Sequence, residues 1–181
     1  MIELDLNENQ KSQENQENQE NKEDIRWKQR FQNFKRAFSL LRSAVESKNI
    51  NEFSDLEQEG IIQRFEYTFE LAWKTLKDYL EYSGVNLSEV TPRAAIKECA
   101  ELNIFSEAEI DPHIFMDMLS SKIALFHVCD FEQYLKNIKA INNKIRKNYL
   151  TEFKKEYIFL LSKAKKQNVE GAYRQDGRNY I

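Results

Sequence analysis

Lys122 and His127 stand out in this 181-residue chain for what they could do together. An imidazole can move a proton near neutral pH, and a cation beside it can stabilise a phosphorane. Such a pair could cleave RNA through its 2′-OH without a metal. Five residues apart on a helix, the two are separated by about 140° around the axis, so they share a groove only at its edges. The plainer reading of a lone histidine in an apolar helix is a satisfied core residue, and both readings stay open. Metal chemistry has less to work with. Cys99 and Cys129 lack CxxC partners, and His113 and His127 are too far apart for i, i+4 ligation. There is no Gly-rich phosphate loop. The sequence implies no cofactor, and no metal held by this chain alone.

A second cluster is denser. Between Arg64 and Lys74, Glu66 and Glu70 are like charges one turn apart, while Glu70 and Lys74 can pair. Arg64, Glu66, Glu70, Trp73 and Lys74, with Arg93 further on, are candidates for a surface facing a partner or substrate. Ordinary salt bridges within a helix are the alternative.

These residues must be carried on helices. With 4 Gly and 2 Pro, the chain has few breakers, and no segment alternates as a strand would. Asp24 can cap a first helix, whose apolar stripe is Trp27, Phe31, Phe34, Phe38, Leu41 and Val45. A second begins after Ser54 or Asp55, carries Ile62, Phe65, Phe69, Ala72, Trp73, Leu76 and Leu80 inward, and stops at Ser83-Gly84. Gly60 weakens its start. Tyr67 and Leu71 make it apolar on more than one side, which predicts a homodimer seam. Thr91-Pro92 opens a third helix to about Leu102, and Asp111-Pro112 a fourth. The fourth carries Phe115, Met118, Leu119, Ile123 and Phe126. A fifth pattern runs from Phe131 to Leu150 with Tyr134, Ile138, Ile141 and Ile145 inward. Phe153, Tyr157, Leu160, Leu161 and Ala164 continue it. The expected fold is all-α, an antiparallel up-and-down bundle of four to five helices.

Charge is uneven. Residues 1–24 hold eight acidic and two basic side chains, and residues 136–166 ten basic and two acidic. The basic end could meet RNA phosphates or an acidic protein face, or be a solvated helix face. Three regions are expected: a disordered acidic and polar tail over 1–23, a bundle with a basic C-terminal helix over 24–166, and a flexible tail over 167–181. No membrane span or secretory signal is visible, and the two cysteines suit a reducing compartment, so a cytoplasmic protein is expected.

The run from Gln63 to Leu80 (QRFEYTFELAWKTLKDYL), followed by Gly84, Thr91-Pro92-Arg93 and Ile96, resembles the nucleotidyltransferase substrate-binding protein family of the HEPN superfamily. The resemblance covers about residues 25–150. It implies an up-and-down bundle that usually dimerises and pairs with a separately encoded minimal nucleotidyltransferase, often as toxin and antitoxin. Active members are implied to be RNases with an Arg-x4-His motif followed by x-Tyr, and the partner can add AMP to that Tyr. On this sequence His127 matches the motif His, Lys122 holds the Arg position, and Ile123 stands where a polar residue is expected. Cys129 takes the place of the AMP-accepting Tyr. Lysine keeps the charge but loses the bidentate fork, and cysteine removes the phenol.

The expected function is therefore a non-catalytic subunit that binds a minimal nucleotidyltransferase, with RNA a possible further partner. A metal-independent RNase toxin working through Lys122 and His127 is the alternative, and a helical scaffold without that partner is the third.

Overall fold

An apolar residue every third or fourth position keeps one face of a helix dry, and the chain repeats this pattern between Trp27 and Ala164. The computed structural model describes residues 26–126 and 130–176, with side chains over 26–125 and 130–165. Helix α1 covers 26–46. It buries all six residues of the expected stripe, from Trp27 to Val45. The expected cap Asp24 lies outside the described residues.

After a 3₁₀ turn at Ile50–Glu52 comes α2, Asp55–Tyr82. Ser54 caps it. The Ser54 hydroxyl accepts the Glu57 N–H at 3.3 Å, and the Glu57 carboxylate accepts the Ser54 N–H at 2.8 Å. Lys48 donates to the same carboxylate, and with Ser54 holds it at about 2. At the far end Gly84 takes φ +83°. Its N–H reaches the Glu81 carbonyl at 3.0 Å, and the Val85 N–H reaches Leu80 at 2.9 Å. This is the paired-bond ending that a left-handed residue allows.

Three helices follow: α3, Pro92–Glu101; a short α4, Ile104–Glu107; and α5, Pro112–Phe126. Thr91 caps α3 through the Ala94 N–H at 3.1 Å. Asp111 caps α5 through the His113 N–H at 2.8 Å, while its own N–H donates to Glu152 at 2.8 Å. The α4 turn is not signalled in the sequence. It ends on Glu109 at φ 57°, with the Ile110 N–H bonded to the Phe105 carbonyl at 2.8 Å.

Helix α6, Phe131–Lys144, runs without a break through a π turn at Ile145–Tyr149 into α7, Leu150–Asp176. The stripe explains the π turn. Ile141, Ile145, Tyr149 and Phe153 are all buried at successive steps of four. On a regular helix each such step drifts by about 40°, and the wider π turn takes up that drift. The lysine-rich extension therefore packs on the bundle, with Phe153 and Leu160 fully buried. Helix α7 also takes in residues expected in the tail, as far as Asp176.

Among the described residues there is no strand, and the all-α reading holds. No described helix is long and apolar enough to cross a membrane. Ile123 departs from the expected core stripe: it is 44% exposed. The buried arc of α5 passes through Phe115, Met118, Leu119 and Ser121, which leaves Ile123 at its rim. The side chain of Phe126 lies outside the described residues.

Polar groups tie the elements together. Asp78 of α2, almost fully buried, receives Arg26 at 3.0 Å, and Arg30 Nε lies 2.8 Å from its other oxygen. Arg146, in the π turn, donates to the carbonyls of Val45 and Lys48, the latter at 2.8 Å. A guanidinium there satisfies carbonyls that the end of α1 leaves open.

Glu156 of α7 is different: it is fully buried and neither carboxylate oxygen has a partner. Burial holds its carboxyl well above the usual range. A raised folded value contributes stability below the unfolded value, near 4.3, that is lost as pH rises through the folded one. Glu156→Gln should therefore raise the midpoint of thermal unfolding at pH 7.5 by roughly 2–4 °C, for about 1 kcal/mol in a domain of this size, and flatten the loss of stability between pH 5 and 8. An unchanged melt at both pH values would contradict this. Gly60, inside α2, has open space where a Cβ would stand. Gly60→Ala should stabilise by about 0.5–1 kcal/mol in a urea titration.

Candidate functional site

Lys122 comes from α5, and its ammonium is held by α2. Its Nζ donates to Glu70 Oε2 at 2.8 Å. Lys74 Nζ lies 2.6 Å from Glu70 Oε1, and Trp73 Nε1 donates to Oε2 at 3.1 Å. Glu70, Trp73 and Lys74 meet because positions three and four apart share a helix face, and the packing of α2 against α5 brings Lys122 to them. Partial burial would raise the Glu70 carboxyl, but the three donors prevail and hold it at about 2. Glu66, one turn earlier, shows the opposite balance. Burial raises it, and the attraction of Lys122 offsets this only in part. Lys74 also stands 5.5 Å over the Trp73 ring.

The structure thus joins Lys122, Glu66, Glu70, Trp73 and Lys74 into one cluster. The remaining candidates lie elsewhere. Arg64 donates to the Leu40 carbonyl at 2.9 Å and ties α2 to α1. Arg93 borders a separate cavity between α3 and α5. His127 and Cys129 lie outside the described residues. The expected pairing of Glu70 with Lys74 is present, and the longer-range bond to Lys122 comes in addition.

A second polar group escaped the sequence reading. Asp117 Oδ2 accepts the Tyr149 hydroxyl at 2.6 Å, Oδ1 accepts Lys144 at 2.7 Å, and Ser121 Oγ is 2.8 Å from the same phenol. Burial would raise Asp117, yet the Lys144 and Tyr149 bonds hold its carboxyl below the usual value. The group borders a cavity of about 260 Å³ between α5 and α6. Its signal in the sequence is faint: Tyr149 occupies the stripe position between Ile145 and Phe153.

Residues 29–162 match the model of the family described as nucleotidyltransferase substrate binding protein like. The chain belongs to that family. The match takes in both the α2 cluster and Lys122, and the family's description implies a role in binding for a nucleotidyltransferase. No curated protein matched the sequence.

The Glu70–Lys122 bond can be measured. Both side chains are partly solvated, so a double-mutant cycle with Glu70→Gln and Lys122→Met should return a coupling of about 0.5–1 kcal/mol at pH 7. Glu70 is lowered in the folded state. Its contribution is present above the unfolded value and fades as pH falls from about 4.3 toward 2. A coupling near zero at pH 7 would mean the bond does not persist in solution.

Proposed function

We propose that the chain is a non-catalytic binding subunit that docks a separately encoded minimal nucleotidyltransferase, in a cytoplasmic module of toxin–antitoxin type. The observation that carries this reading is the commitment of Lys122 to Glu70. The cation that would anchor a scissile phosphate already has a carboxylate partner and is 24% exposed. Lysine also lacks the fork that would hold phosphate at two points. His127 is then left without its anchor, and Cys129 offers no phenol to accept AMP.

The same cluster supplies a docking face. Tyr67, three residues before Glu70 on α2, is 59% exposed, and Ile123 beside Lys122 is 44% exposed. An exposed aromatic next to partly buried charge suits an interface. In this reading one part of the face forms a symmetric homodimer seam and the charged part meets the nucleotidyltransferase.

Co-expression of the tagged chain with a minimal nucleotidyltransferase encoded beside it should yield a stable complex of fixed mass. Tyr67→Glu should weaken that complex at least about tenfold without moving the melt, since this side chain is largely solvent-facing. A homodimer that ignores the nucleotidyltransferase would overturn the proposal. So would ribonuclease activity in wild type or in Lys122→Arg that His127→Ala abolishes.

A further inference from the structure

The stretch from Lys136 to Lys166 holds ten basic and two acidic side chains, and the fold sorts them. Both acids, Glu152 and Glu156, are buried. Four of the cations are engaged: Lys144 by Asp117, Lys155 by Glu152, Lys163 by Glu107, and Arg146 by the carbonyls at the end of α1. The side chain of Lys166 lies outside the described residues. Five cations remain: Lys136, Lys139, Lys147, Lys154 and Lys165. All are exposed, and among the described residues none makes a hydrogen bond or an ion pair. Unpaired cations occur elsewhere too, Lys35 and Arg36 on α1 and Arg93 on α3, but these five line up. Steps of three and four carry one outer face from Lys136 to Lys165, and between the lysines it holds Asn143, Thr151, Ile158 and Ser162, all exposed. No carboxylate lies on it. A stripe about 44 Å long thus carries charge of one sign.

The chain also has a segment of opposite sign. Residues 1–24 hold eight acidic and two basic side chains, and Glu14, Glu17, Glu20 and Glu23 recur every three residues. We propose that this acidic segment docks along the lysine stripe of α6 and α7 in the same chain. A row of like charges repels itself, and an anionic segment laid along it relieves the repulsion. The stripe holds neither an arginine to fork a phosphate nor a ring to stack a base, so it reads charge alone. That suits a run of glutamates better than RNA.

The course of α1 brings the two together. It lies antiparallel to α7: Phe31 stacks on Tyr157 at 5.7 Å, Phe34 meets Phe153 at 6.1 Å, and Arg146 holds the far end of α1. Residue 26 therefore starts at the Tyr157 end of the helix that bears the stripe. Extended, residues 1–24 reach up to about 80 Å, which puts every lysine of the stripe in range. Each exposed pair contributes little alone, but a tethered segment meets its site at an effective concentration of about millimolar. Docked there, it shields α6 and α7, and any other polyanion must displace it first. The proposal goes beyond docking of the nucleotidyltransferase and does not depend on it.

Carbodiimide coupling joins carboxylates only to amines in direct contact. Applied to the full-length chain at low salt and read by mass spectrometry, it should couple residues 14–24 to Lys139, Lys147, Lys154 and Lys165. Lys97, on α3 and 74% exposed, is the internal reference, and the stripe should exceed it at least about tenfold. Raising salt to about 0.5 M should abolish the preference. Lys147→Gln with Lys154→Gln should lower coupling at the untouched Lys139 and Lys165 by about threefold or more. The melt of that variant should match wild type, because both positions are exposed. In a mixture of light and heavy-nitrogen chains, couplings should stay within one isotope. Even coupling to Lys97, or yields indifferent to salt, would overturn the proposal. Couplings that join light to heavy chains would overturn it by assigning the stripe to a second copy. RNA that co-purifies with the wild-type chain and blocks the couplings until nuclease removes it would overturn it by assigning the stripe to nucleic acid.

Discussion

The ring of Phe153 is where the bundle closes. Phe34 and Phe38 of α1, Phe65 of α2 and Phe115 of α5 all approach it, with centroids 6.1–6.4 Å away. The crossings are tilted or edge-on, the arrangements that place a ring's positive edge against a neighbour's face. Three helices meet on one side chain of a fourth, so the helix bearing it must present it at one angle. The π turn at Ile145–Tyr149 meets that need. It brings Tyr149 against Phe65 with a centroid distance of 5.3 Å and leaves Phe153 pointing at the junction.

Much of this was legible in the chain. The α1 stripe, the Ser54 start, the Gly84 stop and the two helix starts with proline follow from local rules, because caps and periodicity are properties of neighbouring residues. What escaped depended on distant ones. The π turn left a trace in three successive steps of four, yet reading it required knowing that Tyr149 faces inward. Ile123 looked like one more apolar position, and only the angle at which α5 leaves the core puts it at the rim. Glu156 is the sharpest case. A glutamate in a lysine-rich helix reads as solvated, and nothing local says that the core surrounds it on every side.

The candidate site divides the same way. Glu70 and Lys74 pair within one helix turn and could be read as such. Lys122 joins them across 52 residues, which sequence spacing cannot express. That bond changes the meaning of Lys122. In sequence it stands at the position where the resemblance implies an arginine, with the charge kept and the fork lost. In the fold it is a structural cation whose charge is largely spent, since Glu70 stays ionised far below neutral pH. Arg93, a candidate from the sequence, is exposed in the fold and stands apart from the cluster that Lys122 joins. Charge type was legible throughout, but charge availability was not.

The clip formed by Arg146 on the end of α1 spans 101 residues for its longer bond, and the ring of Phe153 reaches back further still. Contacts this distant set a schedule for synthesis. The first helix is complete as a sequence early, yet Phe31, Phe34 and Phe38 have no ring partner on another helix until the last helix has left the ribosome. Closing so large a loop is entropically slow, and an uncovered apolar face meanwhile invites other binders. Growing chains should thus depend on translation pace and on chaperone cover for most of their length, although the finished helices are individually well capped.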